Sequence, residues 1–320
     1  AMTKIFFLLL LATATGAAQT PVAPTNEPVG PRRGDDWQGY NFENSVETGY
    51  RFRLASGNIG KFRSDVNYGN GIRLLSSYLA VRSKEGHCKY FDEAVISTVG
   101  LGNDPYESAS VRVQKNKIYR YDLLWRQNDY YNPALTIASG QHLLNTTRRM
   151  QDHDLVLLPD SSFKFFVGYS RNVESGPGLT TVQEFDSRGD EFPLFANIRR
   201  QWNEYRVGNE FQMFGVKVNW MHAWANFKED TPVSLAAPSQ GNNPDDAVSL
   251  NALTRTQPYH GNSPYWRVAL FRDNGKRFTL NGRFTYTAGA RGFVLHHGEQ
   301  AFAHKGVGDF RRPFAPVAVI

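Results

Sequence analysis

Hydrophobic and polar residues alternate one by one along much of this chain. The clearest example lies between Ser263 and Gly289, where Asp273-Asn274-Gly275 separates two such runs. Asn and Gly tolerate the positive φ that a tight hairpin turn requires, and side chains two positions apart share one face of a strand. The second run alternates apolar Phe278, Leu280, Phe284 and Tyr286 with polar Arg277, Thr279, Asn281, Arg283 and Thr285. This stretch predicts a β-hairpin with one apolar face and one charged face.

The same rule predicts strands elsewhere in the chain. Alternation indicates single strands over residues 46–54, 72–82 and 94–101, and hairpins over residues 108–127, 153–169 and 205–227. Together with the hairpin at 263–289 and the C-terminal stretch, about a dozen strands are expected. The predicted fold class is therefore all-β.

Short and long connections alternate between these strands. The turns near Asn116, Asp160 and Gly215 are short, whereas residues 129–150 and 228–262 form long polar links without a secure element. Transmembrane β-barrels have this asymmetry, because their periplasmic turns are short and their outer loops are longer. A soluble β-sandwich can alternate in the same way. The choice between the two depends on the remaining features of the chain.

The amino end carries the marks of export. Lys4 is followed by an apolar run and then by small residues up to Ala18, which predicts a cleaved signal peptide at residues 1–18. This run is shorter than the ~20 residues of a membrane-spanning helix, and no later run approaches that length. Residues 19–44 are rich in Pro, Gly and polar residues and predict a flexible periplasmic leader.

These features favour a barrel in the bacterial outer membrane. We expect it to occupy residues 45–320 and to be an antiparallel transmembrane β-barrel, or the open part of one, of about 12 strands. The last strand stops abruptly at Ile320. Because a closed barrel leaves no strand edge unpaired in lipid, we expect the chain to be a fragment of a larger barrel that is incomplete at its C-terminus.

Composition narrows the chemistry. Cys88 is the only cysteine, so no internal disulfide can form, and the C-x-x-C-H motif of covalent haem attachment does not occur. The formal net charge of +6 comes from scattered arginines rather than from a block of like charge, which argues against nucleic-acid binding. Acidic pairs such as Asp245-Asp246 lie in polar links, and His296-His297 has no third ligand at a recognisable spacing. We predict no catalytic, cofactor or metal residues, and no enzyme.

In a barrel, the two faces of each strand meet different surroundings. A charged side chain that faces lipid at mid-depth costs about 2–4 kcal/mol, so the charged face is expected to line a hydrated lumen. The predicted lipid-facing residues are Tyr119, Tyr121, Leu123, Trp125, Phe163, Phe165, Val216, Val218, Trp220, Phe278, Leu280 and Phe284. The predicted lumen-facing residues are Arg51, Arg53, Arg120, Asp122, Arg126, Lys217, Asn219, Arg267, Thr279, Asn281 and Arg283.

Two roles remain open for the inward arginines. In the first role they favour anions in a pore or bind acidic groups of a partner. In the second role they pair with inward carboxylates and only stabilise the wall. Amphipathic rings favour the headgroup level of a membrane, where they form girdles. The candidates for such girdles are Tyr119, Trp125, Tyr130, Tyr131, Trp220, Trp224 and Trp266.

Several phrases resemble the MtrB/PioB group of outer-membrane barrels, and most closely its long acidobacterial-type members. They are SVETGYRF, YRYDLLWRQNDYYNPAL, NTTRRMQDHDLVLLPDSSFKFFVGYSR, FDSRGDEFP and PYWRVALFRDNGKRFTLNGRFTYTAGARGF. The resemblance implies a large barrel that sheathes a multihaem c-type cytochrome and lets electrons cross the outer membrane. Some members carry a Cys pair near the amino end, which this chain lacks, and the family barrel is considerably longer.

Two alternatives stand beside this sheath or pore. The first is a transport barrel, either a general porin or the barrel part of a TonB-dependent receptor, although residues 19–44 are too few and too polar for a receptor plug. The second is a secreted soluble β-sandwich that acts as a binding module. The expected partners are outer-membrane lipid and, from the resemblance, a multihaem c-type cytochrome.

Overall fold

A computed structural model describes residues 34–86, 88–133, 142–184, 190–241, 247–273, 275, 278–304, 309–312 and 317–319. The predicted signal peptide and most of the predicted leader lie outside the described residues. From Asp35 onward the chain forms one compact unit.

The unit is one antiparallel sheet of 19 strands, and the predicted all-β antiparallel fold is therefore confirmed. The strands of its first half are β1 (Asp35–Trp37), β2 (Tyr40–Arg51), β3 (Gly71–Ser83), β4 (Glu93–Leu101), β5 (Tyr106–Lys115), β6 (Tyr119–Asn132), β7 (Leu143–Leu157), β8 (Phe163–Glu184) and β9 (Asp190–Met213). Those of its second half are β10 (Val216–Glu229), β11 (Val233–Ser234), β12 (Ser239–Gln240), β13 (Ala247–Thr256), β14 (Tyr259–Asp273), β15 (Thr279–Thr287), β16 (Ala290–Phe293), β17 (Leu295–His304), β18 (Asp309–Arg312) and β19 (Val317–Val319). The helices are α1 (Ile59–Asp65) and a 3-10 helix at Lys84–Gly86.

The strands follow one another as a meander. From β1 to β10 each strand pairs with the next. Beyond β9, some successive strands lie end to end and pair with the same neighbouring strand. β10 and β11 both pair with β9. In the same way β15 and β16 both pair with β14, and β18 and β19 both pair with β17. Without the short β1 and β12, the strands make twelve antiparallel passes, as the alternation predicted. No described residue of β1 or β2 pairs with β18 or β19, so the sheet is open.

The two ends of the sheet differ. At one end, called the turn end, the connections are residues 84–92, 116–118, 158–162, 214–215 and 274–278. At the other, called the loop end, they include residues 52–70, 133–142 and 235–246. The long strands β8 and β9 have 22 and 24 residues. At about 3.3 Å per residue each is on the order of 70–80 Å long, more than twice the ~30 Å hydrocarbon core of a bilayer.

Three predicted irregular segments contain strands. The predicted link at 129–150 holds the end of β6 and the first part of β7. The predicted leader at 19–44 already holds β1 and the start of β2, which are joined by a tight turn with Gly39 at φ 81° and braced by Trp37 and Phe42, with ring centroids 6.1 Å apart. The predicted link at 228–262 holds β11, β12, β13 and the start of β14. A register shift between Leu250 and Ala252 breaks the alternation of β13, which hides it from a period-two pattern.

The connection between β2 and β3 contains α1, which the sequence pattern did not indicate. Asn58 caps this helix by accepting a hydrogen bond from the backbone N–H of Lys61 at 2.9 Å. The guanidinium of Arg63 lies 3.7 Å from the ring centroid of Tyr131 and donates to Asn145 at 3.1 Å. These contacts anchor the connection to β6 and β7 at the loop end.

The most deeply buried side chains also lie towards the loop end. They form a cluster of Phe192, Leu194, Val248, Leu250 and Leu253, against which Val182, Val233 and Leu235 pack. The cluster joins β9 to β13 across the short β11. The largest fully buried apolar side chains are therefore concentrated in one corner of the sheet.

Candidate functional site

Strand register gathers the predicted apolar side chains onto one face. Directly paired residues of antiparallel strands point to the same side of a sheet. One unbroken row of paired residues runs across the strands β2–β10, β14 and β15, through Phe42, Val81, Ala94, Val113, Tyr121, Leu155, Val167, Val207, His222, Trp266 and Tyr286. We call the side that carries this row the apolar face. All predicted lipid-facing residues that lie in strands are on it; Phe278 precedes β15.

The apolar face is exposed. Leu280 and Phe284 retain 54% and 61% of their accessible surface, and Phe163, Trp224, Trp266 and Leu270 are also exposed. Within the described residues, no second layer of chain covers this part of the sheet. Monomeric soluble proteins rarely leave so large a contiguous apolar surface in water. The apolar face is therefore a large uncovered apolar surface.

Eight rings form a continuous aromatic row on this face. The row runs through Tyr121, His153, Tyr169, Tyr205, Trp224, His222, Trp266 and Trp220, and its neighbouring ring centroids are 4.0–6.3 Å apart. It crosses six adjacent strands, from β6 to β10 and on to β14. On β10 the row turns along the strand, because Trp224, His222 and Trp220 belong to three successive rows of paired residues.

The girdle candidates from the sequence fall into three groups. Trp220, Trp224 and Trp266 belong to the aromatic row. Tyr119, Trp125 and Tyr131 lie on the same face of β6 as Tyr121 but are not part of the row, whereas Tyr130 lies on the opposite face. Sequence reasoning missed His153, Tyr169, Tyr205 and His222, because only long-range register shows that they stand side by side.

The aromatic row separates an apolar part of this face, towards the turn end, from a polar part towards the loop end. On its turn-end side the face is apolar from Phe163 to Tyr169 on β8, a rise of about 20 Å. The adjoining turns extend this surface with exposed Ile118, Leu158 and Phe214, the last 85% exposed. On its loop-end side the next row consists of Trp125, Gln151, Arg171, Asn203, Asn226 and Asn262 and is polar apart from Trp125. At the ~40° tilt of barrel strands the rise on β8 corresponds to roughly 15 Å along the barrel axis, to which the turn residues add.

The opposite side of the sheet, called the charged face, carries the predicted lumen-facing residues Arg120, Asp122, Arg126, Lys217, Asn219, Arg267, Thr279, Asn281 and Arg283. Ala80, Met221 and Ala223 on this face are buried although they lie in a single sheet. Side chains crowd on the concave side of a curved sheet and spread on the convex side. The charged face is therefore the concave one.

Two predicted lumen-facing residues do not join this face in the middle of the sheet. Arg51 lies beyond a register shift between β2 and β3, at the loop end, and pairs with Asp104. Arg53 follows β2 and donates to the carbonyl of Tyr68 at 3.1 Å. Both hold the β2–β3 connection in place.

Most charges on the charged face are paired. Arg112 and Arg120 both bind Asp122, at 2.6 and 2.7 Å, and Arg126 binds Asp152 at 3.3 Å. A second set joins Arg206 to Asp154 and Glu204, at 3.1 and 2.9 Å. A third joins Lys164 and Lys217 to Glu210, at 3.2 and 3.1 Å. These basic side chains therefore pair with carboxylates of the same face.

The ion pairs border a groove of about 670 Å³ on the charged face. Asp122, Asp152 and Asp154 line it together with Arg82 and Arg112. Arg82 is itself held between Glu43 and Glu93, at 3.2 and 3.0 Å. The groove is therefore hydrophilic, and its charged groups are fixed by one another.

Strands β14 and β15 differ from this paired sector. Arg267 and Arg283 are exposed on the charged face, and within the described residues neither has an ion-pair partner. Arg267 pairs in register with Thr285, and Arg283 with Ala269, so the two arginines are diagonal neighbours on adjacent strands. This sector is the cationic part of the concave surface.

The described residues offer little for other chemistry. Among them no group of three or more His, Cys, Asp and Glu side chains is placed to hold a metal ion. His297 accepts a hydrogen bond from Arg255 at 3.3 Å. No helix within the described ranges has the length and hydropathy to cross a membrane. Comparison with family models, curated proteins and solved structures finds no match to this chain.

Proposed function

We propose that this chain forms part of the wall of an outer-membrane β-barrel. In this arrangement the apolar face meets lipid, and the charged face surrounds a hydrated interior that acts as a pore or as a sheath for a partner. The protein performs no enzymatic chemistry in this role.

One observation carries the proposal: the exposed apolar face ends at a continuous aromatic row and is followed by a polar row. Lipid tails, headgroups and water succeed one another in this order across a membrane surface. The paired charges of the opposite face suit an interior in contact with water. A soluble β-sandwich would need a second sheet packed on the apolar face, and the described residues form a single sheet.

The partner in this proposal is a multihaem c-type cytochrome, as the sequence resemblance implies. Its support in the structure is the concave charged face, where Arg267 and Arg283 are available to acidic groups. The alternative of a transport barrel uses the same wall around an empty pore. A cytochrome encoded beside this chain would favour the sheath, and its absence would favour transport.

Refolding tests the proposal directly. The urea-unfolded chain is diluted into uncharged detergent micelles or vesicles, and its migration is compared before and after boiling on a gel. Membrane barrels resist unfolding until heated, so we expect a heat-modifiable band and protection from protease in the presence of lipid only. Recovery of a soluble, folded monomer without detergent would reject a membrane wall.

A further inference from the structure

A cationic band lies on the apolar side of the sheet, immediately beyond the aromatic row. The first row of paired residues on the loop-end side of the aromatic row contains Arg171. The second row contains, in order across the strands, Arg149, Val173, Gln201, Lys228 and His260. We call Arg149, Arg171 and Lys228 the cationic band. All three side chains are exposed.

The cationic band lacks the acidic partners that the basic residues of the paired sector have. Arg149 donates to the side chain of Gln127 at 2.9 Å, and within the described residues Arg171 and Lys228 have no ion-pair partner. Between β7 and β14 neither of the two rows contains a carboxylate. On the charged face, by contrast, Arg120, Arg126 and Arg206 are each bound to one. An anion from outside the chain would complete this surface.

A groove adjoins the second of these rows. It has a volume of about 330 Å³ and is lined by Lys228 together with the basic Arg199 and Arg200 and the acidic Glu174 and Asp230. Arg199 binds Asp230 at 3.0 Å, and Arg200 lies 3.6 Å from Glu174. Arg200 also binds Glu229 at 2.9 Å, whereas Lys228 has no ion pair among the described residues.

The band lies at or just outside the headgroup region if the aromatic row lies at the edge of the hydrocarbon core. Two residues of a strand rise about 7 Å, so Arg171 is about 7 Å and Lys228 about 14 Å beyond the row along the strand. A strand tilt of about 40° reduces these distances to roughly 5 and 11 Å along the membrane normal. The headgroup region on each side of the hydrocarbon core is about 5–8 Å deep, so Arg171 lies within it, and the long side chains of Arg149 and Lys228 reach back towards it from just outside.

We propose that the cationic band binds the phosphate groups of lipids in the leaflet that surrounds the aromatic row. The occupant is a phosphorylated lipid headgroup, which Arg171 contacts closest to the acyl chains and Lys228 contacts at the groove. The proposal rests on the proposed membrane wall. It names a specific lipid group for this surface, whereas sequence alternation predicts only whether a face meets lipid or water.

The test uses the full chain refolded in maltoside micelles, with heat-modifiable migration as the check of folding. Dioleoyl phosphatidate and dioleoylglycerol are added in parallel, and the lipid retained by the protein is measured by native mass spectrometry. The wild type should retain phosphatidate in clear preference to dioleoylglycerol. The triple variant Arg149→Gln, Arg171→Gln, Lys228→Gln should lose about tenfold or more in retention, because each basic residue near a charged surface contributes to lipid attraction.

A matched variant controls for net charge. Arg291 pairs in register with Gly261, on the side of β14 that carries Arg267, so it lies on the charged face. The variant Arg267→Gln, Arg283→Gln, Arg291→Gln removes the same charge from the charged face and should retain phosphatidate as the wild type does. Equal retention by the cationic-band variant and the wild type would overturn the proposal. So would full displacement of the lipid by inorganic phosphate at equal concentration, which would identify a free-anion site. Recovery of the wild type as a soluble, folded monomer without detergent would refute the membrane wall itself, which is a separate readout.

Discussion

The ring of Phe166 lies over Gly208, its directly paired residue on β9. A Cβ atom added to Gly208 would be 2.3 Å from Cζ of Phe166 and 2.4 Å from the backbone carbonyl oxygen of Trp220. An aromatic ring that covers a glycine on a neighbouring strand replaces packing that the glycine cannot provide. The pair therefore stabilises the centre of the charged face.

Gly208→Ala should destabilise the sheet by about 1–3 kcal/mol, because the backbone of β10 prevents the new methyl group from being accommodated. The measurement is the urea midpoint of the heat-modifiable form. Gly282→Ala is the control, since its Cβ would lie 3.8 Å from that of Leu270 with nothing closer. A larger loss for the control would contradict the packing described for Phe166.

The assignment of faces predicts opposite results for two arginine substitutions on β15. Phe284 is on the apolar face and 61% exposed, whereas Asn281 is on the charged face. Phe284→Arg should reduce insertion into vesicles by the equivalent of about 2–4 kcal/mol, and Asn281→Arg should insert nearly as the wild type does. Protease protection after refolding measures both. Equal insertion of the two variants would exclude lipid on the apolar face.

The unpaired arginines of the charged face predict anion preference. If the wall encloses a pore, Arg267 and Arg283 raise the local concentration of anions, because no carboxylate neutralises them. The double variant Arg267→Gln, Arg283→Gln should shift the reversal potential in a salt gradient towards cations. Arg272→Gln, on the apolar face near the turn end, should leave it unchanged. An unchanged reversal potential in the double variant would remove these residues from the conducting path.

A carboxylate in the β3–β4 connection predicts loss of stability in acid. The hydrogen bond from Lys115, at 2.8 Å, and that from the backbone N–H of Asn116 hold the pKa of Asp92 below its usual value. A group whose pKa is lower in the folded state stabilises the fold above its unfolded pKa, and this contribution disappears as the pH falls through the folded pKa.

Asp92→Asn should therefore be less stable than the wild type at neutral pH, and the difference should shrink below about pH 4. Urea midpoints measured across this range test the sign. A difference that grew on acidification would mean that Asp92 is not stabilised as a carboxylate.

The strand faces could be predicted from sequence because alternation is local. The hairpin turns at Gly215 and Gly275, both at positive φ, were equally visible as short polar or glycine-bearing breaks. The short β11 and β12 were not predictable, because two-residue strands carry no period. The bulge at Leu250 similarly concealed β13.

Which residues of the site are neighbours could not be predicted from any local sequence pattern. The neighbours of His222, namely Trp224 on its own strand and Trp266 on β14, form a row only when the register of β10 against β14 is known. The same is true of the pair between Arg206 and Asp154, which are separated by 52 positions. Sequence therefore predicted which side chains share a face, and the structure shows which of them touch.

The buried cluster at the loop end fills part of the concave side of the sheet. Phe192 and Leu194 share the concave side of β9 with Glu204 and Arg206, yet they are almost inaccessible to solvent. Because they pack against Val248 and Leu250 of β13, they occupy space that water fills elsewhere along this face. In a closed barrel of the proposed kind, the water-filled cross-section would therefore be smaller beside Phe192 and Leu250 than beside the exposed Arg267 and Arg283.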